Sequence, residues 1–230
     1  MLNLELVRDP NTPFRVLALG AHCDDIEIGC GGTLLHLLAS HSNLCFDWVV
    51  FASNPARARE AEASAERFLR GAKEKRVVIK QFRHGYFPDQ WARIKDEFEA
   101  LKGEVSPDLI FTHCQRDLHQ DHRTIAELTW NTFRDHFILE YEIPKYDSDL
   151  GSPNFFVPLA AATANQKARA VVECFPSQRD KHWFREDTFL ALMQLRGVQS
   201  AARSGFAEAF YAQKICAGVG ASRSGGGGDE

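Results

Sequence analysis

Between Phe14 and His136 short apolar runs alternate with helical stretches four times, and this alternation limits the possible folds more than any other feature of the chain. Phe14–Leu19, Cys45–Phe51, Arg76–Ile79, Asp108–His113 and Phe137–Ile143 read as strands. Helices are expected from Leu34 to about Ser40, over Arg57–Arg70, over Asp89–Lys102 and from about Asp121 to His136. Repeated strand–helix units specify an α/β fold with a mostly parallel central sheet. In such sheets, sites form beyond the carboxyl ends of the strands.

The rest of the chain continues the pattern less regularly. Pro144–Pro158 carries turn residues and aromatics, the mark of a long loop with a short strand. A helix is expected over Thr163–Glu173, where Thr163 and Gln166 have capping-box spacing. Another is expected over Glu186–Ala202, and Ala207–Ile215 closes the chain as a strand or a helix. At 230 residues the chain suits one domain, taken as residues 1–217, followed by a low-complexity tail at 218–230.

Composition narrows the function classes. A net charge of -4 with no block of Lys or Arg argues against a nucleic-acid surface. No apolar run reaches membrane-spanning length, and the N-terminus lacks the pattern of a signal peptide. The six cysteines form no CxxC pair, so reduced thiols and a cytoplasmic location are expected.

Two motifs carry the chemistry. The first strand ends in Ala21-His22-Cys23-Asp24-Asp25, ahead of Gly29-Cys30-Gly31-Gly32-Thr33, which reads as a tight glycine turn. The fourth strand leads to Asp117-Leu118-His119-Gln120-Asp121-His122. A dinucleotide site is disfavoured, because GxGxxG spacing is absent and two carboxylates stand where a pyrophosphate would approach. A cation suits the position better. His22, Asp25 and His122 make a set of two imidazoles and a carboxylate that leaves room for water, as catalytic zinc sites require. Asp24 is then available as general base, and His119 as oxyanion stabiliser or acid. Asp121 is expected to orient His119 and favour its protonated form, although it also suits a helix N-cap. Together these parts describe metal-assisted amide hydrolysis. His36, His41, His84 and His136 have no partner at ligand spacing and read as structural or exposed.

The pair AHCDDIE and DLHQDH resembles the PIG-L/LmbE-like family of zinc-dependent N-acetylglucosaminyl deacetylases, over most of residues 14–215. The resemblance implies a Rossmann-like three-layer sandwich and a zinc cofactor. It also implies removal of acetate from an N-acetylated amino sugar in a small conjugate or glycan intermediate. Its ligands fall on His22, Asp25 and His122, its base on Asp24, and its oxyanion or acid group on His119 within His119-x-Asp121-His122. A less specific element, an Arg with a Glu three residues on, falls on Arg59 and Glu62 and makes Arg59 a substrate-binding candidate. A surface ion pair explains that spacing equally well. The segment RGVQSAARSGFAEAF likewise suggests Arg203 and Glu208 near the substrate opening. Cys23 stands where the family usually has Pro, which places a thiol beside the metal motif. A homo-oligomer accords with the resemblance.

Other readings stay open at this stage. One is a zinc amidase for another acyl group. Another is a sugar- or nucleotide-binding Rossmann-like module without turnover, which would not need the complete set of ligands and base. Because two His and one carboxylate also suit ferrous iron, Fe2+ is an alternative metal. The loops Phe82–Trp91 and Pro144–Pro158 carry Tyr86, Phe87, Trp91, Tyr146 and Phe155, which could stack on a sugar ring.

Overall fold

The computed structural model describes residues 3–7 and 9–216, so the tail at 218–230 lies outside the described residues. Seven strands and six α-helices follow in the order β1 (Phe14–Gly20), α1 (Asp25–Ser40), β2 (Leu44–Val50), α2 (Pro55–Phe68), β3 (Glu74–Ile79), α3 (Trp91–Glu104), β4 (Leu109–His113), α4 (Gln120–Thr132), β5 (Ile138–Tyr141), β6 (Phe155–Leu159), α5 (Ala161–Cys174), α6 (Glu186–Gln199) and β7 (Phe206–Tyr211). The strands form one sheet in the order β3-β2-β1-β4-β5-β7-β6. The first five strands are parallel, and β7 pairs antiparallel with both β5 and β6. Among the described residues no helix is long and apolar enough to cross a membrane.

Strand periodicity builds the three layers. Along β1, Val16 and Ala18 face a core shared with Leu34 of α1, Ala65 of α2, Ala168 of α5 and Phe189 of α6. Leu17 and Leu19 face the other side, where Ile94 and Phe98 of α3 and Ile125 and Leu128 of α4 cover the sheet. The strand order reverses direction between β1 and β4, and such a switch point opens a crevice at the carboxyl ends of the two strands. Both sequence motifs leave the sheet there.

The glycines after the first motif do not make a turn. Gly29, Gly31 and Gly32 lie inside α1, which begins directly at Asp25. A Cβ on Gly29 would stand 2.2 Å from Tyr141 Cδ2, one on Gly31 2.7 Å from Phe68 Cε1, and one on Gly32 2.6 Å from Leu159 Cδ1. These residues therefore let β5, α2 and β6 close onto the helix. Three glycines lower intrinsic helicity by roughly 1 kcal/mol each. Tertiary contacts offset this. Glu208 accepts the Gly32 and Thr33 N–H groups at 2.8 and 2.6 Å, and Lys167 donates to the Ile28 carbonyl at 2.6 Å.

Two boundaries also differ from expectation. α5 starts at Ala161, two residues before Thr163, with Ala160 as N-cap and no side-chain cap, so no capping box forms. Burial of Ala164, Lys167 and Ala168 sets that helix's position instead. α2 starts at Pro55, where Asn54 accepts from the Ala56 and Arg57 N–H groups at 3.0 Å each. The segment Ala207–Ile215 supplies β7, a strand.

Candidate metal centre

The end of β1 and the start of α1 place His22, Asp24 and Asp25 on one side of the crevice. The turn after β4 and the first turn of α4 place Asp117, His119, Asp121 and His122 on the other. His22, Asp25 and His122 are all buried, with ligand atoms close enough to share one ion. His122 Nε2 faces His22 Nδ1 at 3.1 Å, while Asp25 Oδ2 lies 3.3 Å from His22 Nδ1 and 3.6 Å from His122 Nε2.

The outer nitrogens fix the tautomers. His122 Nδ1 lies 2.9 Å from Asp117 Oδ2, a carboxylate that can only accept, so the proton sits on Nδ1 and the Nε2 lone pair points inward. By the same argument His22 donates from Nε2 to Asp121 Oδ2 at 3.1 Å and turns the Nδ1 lone pair inward. With both imidazoles neutral, two nitrogen lone pairs and a carboxylate oxygen thus converge on one point. The surroundings add to this, because among the described residues Arg57 and Lys145 are the Arg and Lys partners of Asp24, Asp25, Asp117, Asp121 and Asp149. This donor set fits a divalent cation.

A proton and a cation compete for these donors. Burial opposes ionisation of His22, but Asp25 and Asp121 outweigh it and raise its pKa to about 9. His122 goes the other way, to about 3, through burial and the neighbouring His113. Burial would raise Asp25, yet His122, His113 and His22 hold it well below the usual carboxylate range. Asp121 and Asp117 are also lowered against the effect of burial, chiefly by their bonds to His22 and His122 respectively.

Asp24 is buried and pairs through Oδ1 with Arg57 Nη2 at 2.6 Å. Arg57 sits in the first turn of α2, and its pKa is raised because Asp24 outweighs the effect of burial. Arg59, the residue expected to face the pocket, is exposed and makes no ion pair among the described residues. The arginine at the site is two positions earlier, because the helix starts at Pro55 and turns that face toward the crevice. Glu208 is not at an opening either. It is 4% exposed and paired with Lys167 at 2.7 Å beside Gly32, roughly 10 Å along α1 from Asp25 at 1.5 Å per residue. Arg203 is exposed in the turn before β7, without a hydrogen bond among the described residues.

The expected partnership of Asp121 and His119 is replaced by another. The Asp121 carboxylate is occupied by His22 and by the N–H groups of Gly85 and Phe87 at 2.6 and 3.0 Å. The His119 ring stacks on that of His122 with centres 4.5 Å apart, and among the described residues its one hydrogen bond is from the Asp121 N–H to Nδ1 at 3.2 Å. That bond leaves the proton of neutral His119 on Nε2, and burial together with His22 lowers its pKa. His119 is therefore held neutral, contrary to the protonated form expected from sequence.

Several residues escaped the sequence reading. His113, the last residue of β4, is fully buried and stacks on His122 with ring centres 3.9 Å apart. Its Nε2 accepts the Ala21 N–H at 2.9 Å and lies 3.1 Å from Asp25 Oδ2. His84 is exposed in the loop after β3, yet its ring is 4.4 Å from that of His22. That loop is clamped to the centre by Asp121. Glu27 is fully buried with no partner for either oxygen among the described residues, and burial raises its pKa well above the carboxylate range. Cys23 directs its thiol to the Ala52 carbonyl at 3.4 Å, away from the ligand atoms, and burial pushes its pKa up to about 12. Of the loop aromatics, Phe87 is buried and Phe155 packs against Phe137, whereas Tyr86, Trp91 and Tyr146 are exposed.

Comparison with known proteins accords with this geometry. The sequence matches the family described as PIG-L, GlcNAc-PI de-N-acetylase, over residues 17–133, which span both motifs. A conserved protein of Thermus thermophilus superposes with a TM-score of 0.68 at 20% identity, covering 91% of this chain and 99% of its own. N,N'-diacetylchitobiose deacetylase of Pyrococcus horikoshii, solved with an inhibitor, gives 0.66 at 21% identity, with 90% of this chain and 88% of that one covered. The 4-carboxy-2-hydroxymuconate hydratase of Pseudomonas putida gives 0.67 at 16% identity, with 91% and 100% covered, so one fold carries more than one chemistry.

Proposed function

The chain belongs to the PIG-L family of GlcNAc-PI de-N-acetylases, and from that membership we propose a metal-dependent hydrolase that removes acetate from an N-acetylated amino sugar within a small conjugate. The observation that carries the reading is the convergence of His22 Nδ1, His122 Nε2 and Asp25 Oδ2 on one point, as three ligand atoms from which a cation need displace only the proton of His22. Zinc is the first choice of metal, with ferrous iron the alternative for the same donors. The ion would act as a Lewis acid toward water and the acyl oxygen.

The chain's own groups supply the proton transfers. Asp24 is the general base. Arg57 fixes its Oδ1, while Oδ2 makes no hydrogen bond to the protein among the described residues and accepts a proton from the attacking water. As the C–N bond breaks, the same carboxyl returns the proton to the leaving amine, giving acetate and a free amine. His119 donates from Nε2 to the oxygen that gains negative charge, and the Asp121 N–H sets this tautomer. His84 and Tyr86 form part of the exposed rim, where the sugar and its substituent would lie.

The test is acetate release from a panel of N-acetylglucosamine conjugates by zinc-loaded protein, beside His122→Ala. Zinc-dependent release that is lost in the variant supports the reading. Stoichiometric zinc without release from any conjugate moves the activity to another acyl group, and a protein that binds no metal defeats the proposal. Metal analysis after aerobic and anaerobic purification separates zinc from iron.

A further inference from the structure

Behind His122, on the side away from His22, lies a buried charge cluster that the proposed hydrolysis does not use. Asp117 Oδ2 receives His122 Nδ1–H, and Asp117 Oδ1 accepts both the His119 N–H at 2.8 Å and the Lys145 ammonium at 3.1 Å. The same ammonium is bonded to Asp149, four residues on, and Asp149 Oδ2 also accepts the Leu118 N–H at 2.8 Å. The side chains of Lys145, Asp117 and Asp149 are 8%, 4% and 5% exposed. Lys145 and Asp149 close the neck of the segment Pro144–Gly151, whose Tyr146 is 67% exposed. One ammonium therefore ties this segment to the carboxylate that sets the His122 ring.

We propose that Lys145 is a positioning residue of the metal centre, acting through Asp117 on His122, and that it joins the seating of the Pro144–Gly151 segment to the grip on the metal. The proposal rests on the assignment of His122 as a ligand. A carboxylate held only by the His122 ring and one backbone N–H can pivot about its Cβ–Cγ bond, and the imidazole swings with it. With Lys145 in place Oδ1 has a second, charged donor beside the His119 N–H, which stiffens the carboxylate so that the Nε2 lone pair keeps its direction. A lysine suits the position because its ammonium is a compact donor that can serve both carboxylates.

The experiment measures zinc affinity of the full chain by competition with a chromophoric chelator, and the d–d absorption of the cobalt-substituted protein. Lys145→Met is expected to weaken zinc about tenfold, the lower end for loss of an outer-shell partner, and to shift the cobalt bands. Lys145→Arg, which keeps the charge, is expected to recover most of that loss. Lys167→Met, which breaks the equally buried Lys167–Glu208 pair beside α1, serves as control and should leave zinc affinity unchanged while lowering stability. Zinc affinity and cobalt spectrum unchanged in Lys145→Met, or lowered equally in Lys167→Met, would overturn the proposal. If Lys145→Met does not fold, Lys145→Gln, which removes the charge but keeps a polar head, is read in the same assay; weakening of about tenfold supports the proposal, and wild-type affinity refutes it. Wild-type protein that takes up no zinc would defeat the metal centre itself, an outcome distinct from zinc bound equally well by wild type and variants.

Discussion

Removing the metal should leave a proton in its place, and this can be counted. In the metal-free centre His22 has a pKa of about 9, while His122 at about 3 and Asp25 carry no competing proton near neutrality. At pH 6.5 nearly every molecule then holds one proton on His22, and zinc must displace it. Metal binding should therefore release about one proton at pH 6.5, where ionisation of metal-bound water near pH 7 still adds little. Apparent affinity should rise tenfold per pH unit and level off above about pH 9 for this group, so that at pH 7.5 it lies about 30-fold, or ~2 kcal/mol, below the plateau. The sign for folding is the reverse. A histidine pKa raised from 6.5 to about 9 stabilises the metal-free fold fully below pH 6.5, and that contribution fades as pH rises through 9. Titration calorimetry at pH 6.5 in buffers of different ionisation enthalpy measures the proton directly. A release near zero, or an affinity flat between pH 6 and 8.5, would show that no proton shares these lone pairs and would refute the ligand geometry.

Four substitutions test other parts of the structure. Asp24→Asn should keep zinc at wild-type affinity and lower kcat by about 10²–10⁴-fold, and near-normal turnover would remove Asp24 as base. Arg57→Ala should lower kcat/KM by about 10²-fold through loss of the fixed Asp24 orientation, whereas Arg59→Ala should stay within about twofold; equal effects in steady-state assays would contradict the geometry. Gly29→Ala pushes a methyl group into the Tyr141 ring, which its hydroxyl bond to the Leu19 carbonyl holds in place at 2.6 Å. Urea denaturation should show a loss of about 1–3 kcal/mol, and no loss would mean that the ring yields freely.

Most of the fold was legible because its signal is local. Apolar runs such as Phe14–Leu19 report burial on both faces whatever their neighbours, and β1 to β5 appear close to where the pattern predicts. The errors came where distant contacts overrule local preference. Gly29, Gly31 and Gly32 have poor helix propensity, yet they are helical because Tyr141, Phe68 and Leu159 need the room. Thr163 offered a good cap, but α5 begins earlier because packing of its buried face fixes the helix. Arg57 and Arg59 could not be told apart from spacing, since the start of α2 decides which one faces the crevice.

The centre shows why the donors could be read and their supports could not. A ligand set needs particular residue types just beyond strand ends, and sequence records both. The supports depend on which elements cross. Asp121 and His119 are near in sequence, but residues two apart near a helix start point in different directions. Asp121 instead reaches across the switch point to His22, and Asp117 turns back across the loop to His122. The second motif thus orients the ligand supplied by the first, and Asp121 also pins the His84 loop through Gly85 and Phe87. One carboxylate therefore couples three separate segments. This cross-bracing gives the joint occurrence of the two motifs its weight: Asp117 braces His122 within the second motif, whereas the His22 of the first takes its outer carboxylate from the second.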